Sequence, residues 1–216
     1  MATLTGPHLD PKSGAPADSL VVLLHGRGSS GDDLIGLGDV LADAFPHTAF
    51  HAPHGPQPYE DAPFGYQWYS RANGDSPAER FREAASTVNS FVDELLDKHE
   101  MDPSRCVLVG FSQGTMVATY VSLRRRRALG GVVGFSGVLA AADTLTDELA
   151  NKTPLCLVHG AADRVIPSQR AEEASTLLAK LGVPHQLHIL PSLGHSIDGR
   201  GLQHAIRFIQ GVWGQV

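Results

Sequence analysis

The chain has 216 residues, with 17 basic and 23 acidic side chains and a net charge of −6 at pH 7. Apolar content of 42% and charged content of 19% are those of a globular protein with one sizeable core, so a single domain over residues 1–216 is expected, with 1–19 peripheral. The acidic balance argues against a nucleic-acid partner, no run approaches the roughly 20 apolar residues of a membrane span, and Met1-Ala2-Thr3-Leu4-Thr5 lacks the basic and apolar regions of a secretory leader.

The predicted elements alternate between strands and helices. Residues 1–19 are rich in Pro, Gly and Ser and offer at most an edge strand. Leu20–Leu24 is a continuous apolar run suited to a strand buried on both faces. A Gly/Ser loop covers His25–Gly31. A helix is expected over Asp32–Ala44, with Leu34, Leu37, Val40 and Leu41 on one face. Ala49–Ala52 reads as a short strand, and Pro53–Gly74 as a long loop whose length and aromatics, Trp68 and Tyr69, point to function. Ser76 as N-cap and Pro77 at the first helical position open a helix to about His99. Strands are expected at 106–110, 131–135, 155–159 and 186–190, and helices at 114–127, 168–181 and 199–213. Gly182 and Pro184 stop the second of these helices. Leu202, Ile206, Ile209 and Trp213 share one face of the third. This alternation predicts an α/β fold with a mostly parallel sheet covered by helices on both faces.

Cys106 and Cys156 lie in apolar strand-like runs, where a small buried thiol is expected, and the chain is read as reduced and cytoplasmic. The run Arg124-Arg125-Arg126-Arg127 is read as favourable charge at a helix C-terminus on a solvated surface rather than as an anion site. No cofactor motif is visible. His51 and His54 are not read as a metal pair, so no metal is expected.

Gly110-Phe111-Ser112-Gln113-Gly114 carries the chemistry. A Gly-x-Ser-x-Gly pattern is expected by chance in roughly 0.07 of chains of this length at average composition. A strand before it and a helix after it make it a nucleophile elbow. Glycines two positions either side of the serine remove side chains that would collide in so tight a turn. The N–H of Gln113, at the helix start, is free to face an oxyanion.

A neutral serine hydroxyl needs a base. In the chain order of an α/β-hydrolase an acid and then a histidine follow the nucleophile. Asp163 follows strand 155–159, and His195 follows strand 186–190 in a Gly-His-Ser loop. The carboxyl ends of parallel strands share one edge, so Ser112, Asp163 and His195 are expected to meet there. Asp143, Asp147 and Asp198 compete as the acid, but look like helix N-terminal residues. The loop Leu24-His25-Gly26-Arg27-Gly28 fits the second oxyanion donor. No Gly-Lys-Ser/Thr follows it, which disfavours a phosphate cradle.

Leu24–Gly28, Gln67-Trp68-Tyr69, Gly110–Gly114, His159–Asp163 and Gly194-His195 resemble, in this order, motifs of the phospholipase/carboxylesterase family of small α/β-hydrolases, which includes acyl-protein thioesterases. The similarity runs over about residues 20–213 and is nearer to the bacterial carboxylesterase branch, because Ser70-Arg71 stands where the thioesterases commonly carry an acidic residue. The resemblance implies a Ser112–Asp163–His195 triad and an oxyanion hole built from the main-chain N–H groups of Arg27 and Gln113. It also implies substrate contacts from His25, Trp68 and Tyr69. For Trp68 an acyl-pocket wall and a packing role are both open. The expected activity is a serine carboxylesterase on short- to medium-chain esters or thioesters. A lysophospholipase or acyl-protein thioesterase is the alternative, and a non-catalytic binding module is a third. A small-molecule ester is the expected partner, with no stable membrane insertion. Apolar edges would allow a homodimer.

Overall fold

The computed structural model describes residues 4–71 and 77–214, without the side chains of Pro77 and Ala78. Its centre is a seven-stranded sheet in the order β1-β3-β2-β6-β7-β8-β9. The strands are β1 (His8–Leu9), β2 (Ser19–Leu24), β3 (Thr48–His51), β6 (Cys106–Phe111), β7 (Gly131–Phe135), β8 (Leu155–Gly160) and β9 (His185–Leu190). All neighbours pair in parallel except β1, which lies antiparallel to β3 at one edge.

The central strands β2, β6, β7 and β8 are apolar apart from Ser19 at the start of β2 and His159 near the end of β8, because both faces are covered. In β2 the period of two sends Leu20, Val22 and Leu24 to one cluster and Val21 and Leu23 to the other. The first cluster packs under α3 (Pro77–Lys98), α4 (Gln113–Arg124) and α6 (Gln169–Lys180). The second packs under α2 (Gly36–Ala42) and α7 (Gly199–Trp213). Each such fully buried Leu or Val stabilises by about 1.5–3 kcal/mol. α7 starts at Asp198, whose side chain accepts from the Gly201 N–H, and its Ile209 and Trp213 are buried as expected.

Four expectations need correction. The helix foreseen over Asp32–Ala44 is two short helices, α1 (Gly31–Leu34) and α2, and Val40 is 49% exposed rather than inward. The join is at Ile35, whose carbonyl accepts from the Gly38 N–H at 2.7 Å, and a Cβ on Gly38 would lie 3.1 Å from Phe50 Cβ, so α2 rests on β3 through glycine. The long loop after residue 53 contains a two-stranded hairpin, β4 (Gln57–Pro58) with β5 (Tyr66–Gln67). The short helix α5 (Leu145–Glu148) was not foreseen. The post-elbow helix ends at Arg124, not Arg127, because the chain turns extended at Arg125 (ψ 150°), and beyond it Arg125 reaches Asn89 and Asp93 and Arg127 reaches Asp102. Arg124 pairs with Glu148, so this basic run serves packing and ion pairs. The expected Ser76 N-cap and the end of the expected loop, residues 72–74, lie outside the described residues. Both cysteines are free and buried, and burial pushes each thiol up to about 12.

Candidate active site

The turn after β6 puts Ser112 at φ 52° and ψ −113°, a left-handed backbone that a non-glycine residue rarely adopts. It is held there from three sides. Ser112 N–H donates to Phe135 O at 2.9 Å, and Thr115 Oγ1 bonds Gly110 O and Phe135 O, both at 2.8 Å. A Cβ on Gly114 would stand 1.9 Å from Leu24 O, and one on Gly110 would stand 2.5 Å from Thr115 N. Both glycines are therefore required by backbone contact, which lets α4 start directly against β2.

Asp163 follows β8 and His195 follows β9, on the sheet edge that also carries Ser112. His195 Nδ1 lies 2.8 Å from Asp163 Oδ2. The other carboxylate oxygen accepts from Val165 and Ile166 N–H, each at 2.9 Å. Burial is the largest influence on this carboxyl and opposes its ionisation. The N–H groups of Ile166 and Val165 and the His195 bond outweigh it and hold the acid below its ordinary value. Asp198, a competing acid in the sequence, caps α7 instead.

His159, at the end of β8, was missed as a contributor. Its Nε2 donates to Ile166 O at 2.8 Å and sits 3.2 Å from Asp163 Oδ2, with the ring 1% exposed. A histidine four residues before the acid was its only signal in the sequence.

Ser112 and His195 line one cleft of about 450 Å³, with Gly26, Arg27, Ser29, Asp33, Leu34, Phe111, Ser196 and Ile197. The Phe111 ring lies against His195, with centroids 5.0 Å apart. Among the described residues no hydrogen bond joins Ser112 Oγ to His195, although both line the same cleft. Neither the Arg27 nor the Gln113 main-chain N–H donates to a protein acceptor among the described residues, which leaves both available to a ligand. A larger cavity of about 590 Å³ between α3 and α4 contains none of these groups and is walled by the paired Arg124 and Glu148.

The oxyanion loop is braced by the hairpin. Gly28 N–H donates to Tyr66 O at 2.8 Å, and Tyr66 N–H to Ser29 O at 2.7 Å. The Arg27 guanidinium pairs with Glu60 at 2.5 Å and Asp61 at 2.9 Å, and lies 4.9 Å from the Tyr59 ring centroid. Glu60 also accepts from the Ser70 hydroxyl and the Arg71 N–H. The Ser70 bond first, then Arg27, hold its carboxyl down at about 2. Glu60 was not foreseen, because nothing local marks a surface acid that reaches back 33 residues.

The three residues expected to contact substrate are all buried. His25 is 0% exposed, Trp68 1% and Tyr69 7%, and none lines the cleft. Tyr69 donates its hydroxyl to Met116 Sδ at 3.2 Å, and burial pushes that phenol up to about 12. His25 and Trp68 spend their polar atoms on main chain and pack against each other, with ring centroids 5.2 Å apart.

The family model described as Phospholipase/Carboxylesterase matches residues 11–213. The crystal structure of esterase PE8 is 40% identical with a TM-score of 0.92, covering 98% of this chain and 100% of that one. Esterase YpfH of Escherichia coli is 28% identical over 88% of this chain and 82% of its own length. Acyl-protein thioesterase 1 of Debaryomyces hansenii is 26% identical over 91% of this chain and 92% of its own length. Among the described residues no helix is long and apolar enough to cross a membrane.

Proposed function

The chain belongs to the phospholipase/carboxylesterase family and is a carboxylic ester hydrolase, and we propose that it works on short- to medium-chain esters through an acyl-enzyme on Ser112. Ser112 Oγ attacks the acyl carbon while His195 takes its proton. The proton then goes to the departing alcohol as the tetrahedral intermediate collapses. Water, activated by the same imidazole, releases the acid and restores the serine. Asp163, ionised and fully enclosed, fixes the imidazole with its proton on Nδ1 and leaves Nε2 free to act as base. The developing oxyanion is received by the N–H groups of Arg27 and Gln113.

The observation that carries this reading is the Asp163–His195 hydrogen bond beside a serine held in a strained turn and facing the same cleft. The chain-length preference rests on the cleft. At about 450 Å³ it is near the small end of the roughly 300–1,000 Å³ usual for small-molecule sites. Among the described residues its apolar side chains are Leu34, Phe111 and Ile197, and Trp68 and Tyr69, both buried, do not line it. A second reading, long acyl chains as in the relatives named acyl-protein thioesterase, is favoured by Phe64, 74% exposed on the hairpin that braces the oxyanion loop.

p-Nitrophenyl esters from acetyl to palmitoyl separate the two. kcat/KM is expected to peak at or below about eight carbons, because each further methylene adds its roughly 0.8 kcal/mol only where apolar surface covers it. A continued rise to palmitoyl overturns the short-chain reading in favour of the second.

A further inference from the structure

We propose that His25 is a positioning residue for catalysis, which with Trp68 and Gln113 forms one buried hydrogen-bonded frame that aims the two oxyanion donors. The proposal rests on the assignment of those donors to Arg27 and Gln113.

The tautomer of His25 follows from its partners. Gly55 N–H can only donate, and it meets His25 Nε2 at 2.8 Å. The ring proton of the neutral form is therefore on Nδ1, which donates to Gly26 O at 2.7 Å. Ser29 N–H donates to the same oxygen at 3.2 Å. The chain has no cis peptide among the described residues, so the N–H of Arg27 points opposite to the Gly26 carbonyl across one rigid plane. Two donors that hold the carbonyl inward thus aim the Arg27 N–H outward, at the cleft that Gly26, Arg27 and Ser112 line.

The preceding peptide is pinned as well, since Trp68 Nε1 donates to His25 O at 2.8 Å. Trp68 then reaches the second donor. Its main-chain N–H donates to Gln113 Oε1 at 2.8 Å, and Gln113 Nε2 donates to Tyr69 O at 2.9 Å. Gln113 is the residue whose own main-chain N–H faces the oxyanion. The path Gly26–His25–Trp68–Gln113 therefore joins one donor to the other through side chains 0–1% exposed. Buried polar chains of this kind are rigid because every broken bond leaves an unsatisfied group away from water. Burial keeps the imidazole neutral by pushing it below its ordinary value, which preserves the donor–acceptor direction that the frame needs.

The test compares wild type with His25→Leu, His25→Asn and Trp68→Phe, with Ser112→Ala alongside. The substrates are a matched pair, p-nitrophenyl butyrate and its thiono analogue, in which sulfur replaces the carbonyl oxygen. Sulfur accepts hydrogen bonds weakly, so misaimed oxyanion donors penalise the oxygen ester more than the thionoester. His25→Leu is expected to lower kcat on the oxygen ester roughly 10- to 100-fold with KM within about threefold, and to cut the oxygen/thiono ratio of kcat at least about tenfold. Asn can place its amide N–H near Nδ1 and restores part of that ratio. Trp68→Phe keeps an aromatic ring without the donor and cuts the ratio in the same direction, which keeps the test decisive if His25→Leu does not fold. An unchanged ratio in the folded His25→Leu and Trp68→Phe proteins, with Ser112→Ala inactive, overturns the frame alone. Turnover retained by Ser112→Ala overturns the acyl-enzyme reading from which the donor assignment follows, and the frame with it.

Discussion

Asp163 Oδ2 meets His195 Nδ1 at 2.8 Å while its Oδ1 is clamped by two main-chain N–H groups. The clamp makes the carboxylate one-sided. In Asp163→Asn the amide oxygen is bound by Val165 and Ile166, and the NH₂ must face the imidazole. His195 then carries its proton on the nitrogen that should accept from Ser112. The fold is expected to survive and kcat to fall about 10⁴-fold, the scale of a wrong-tautomer triad. Steady-state kinetics beside a circular-dichroism melt check this, and a loss under about tenfold contradicts it.

Glu60 supplies a pH-dependent tie across the oxyanion loop. Its carboxyl sits at about 2 when folded, against an ordinary 4.5. A lowered folded value means that its stabilisation is complete above about pH 4.5 and fades as the pH falls toward about 2. The melting-temperature advantage of wild type over Glu60→Gln should therefore be present at about pH 6 and shrink through that window. A difference that stays constant over the same range contradicts the assignment.

Two glycines give opposite expectations for the same substitution. A Cβ on Gly114 would lie 1.9 Å from Leu24 O and 2.5 Å from Leu24 C, both backbone atoms that cannot swing aside. Gly114→Ala should cost about 3 kcal/mol or more, since α4 must lift from β2. Gly211, inside α7, has nothing within 4 Å of its built Cβ, and Gly211→Ala should stabilise by about 0.5–1 kcal/mol. Urea unfolding of the two variants checks both, and equal effects would contradict the contact geometry.

The sheet and the positions of the proposed triad could be read from the sequence, and the support around them could not. β2, β6, β7 and β8 are dominated by continuous apolar runs, so their ends were legible, and the positions of Ser112 after β6, Asp163 after β8 and His195 after β9 follow from which strand each one leaves. Leu34, Leu37 and Leu41 have helical spacing, but spacing carries no record of the break at Ile35 that divides the segment into two short helices, nor of Gly38 resting on Phe50. β4 and β5 are two residues each, with Pro58 inside the first and Gly65 just before the second, too short for any period to register. His25, Trp68 and Tyr69 share a different difficulty. A polar or aromatic residue beside a catalytic loop looks the same in sequence whether it faces the cleft or satisfies main chain beneath it. Only hydrogen-bond partners such as Gly55 N–H and His25 O distinguish the two.

The nucleophile is the centre of the account, and labelling tests it most directly. A fluorophosphonate probe added to the folded protein, with intact mass and peptide mapping, is read beside p-nitrophenyl butyrate turnover for wild type and Ser112→Ala. The expected result is one adduct on Ser112 in wild type, none in Ser112→Ala, and mutant turnover reduced to the residual roughly 10³–10⁴-fold over water that binding and an oxyanion hole alone sustain. An adduct on another residue, or turnover in Ser112→Ala within about tenfold of wild type, would contradict an acyl-enzyme on Ser112.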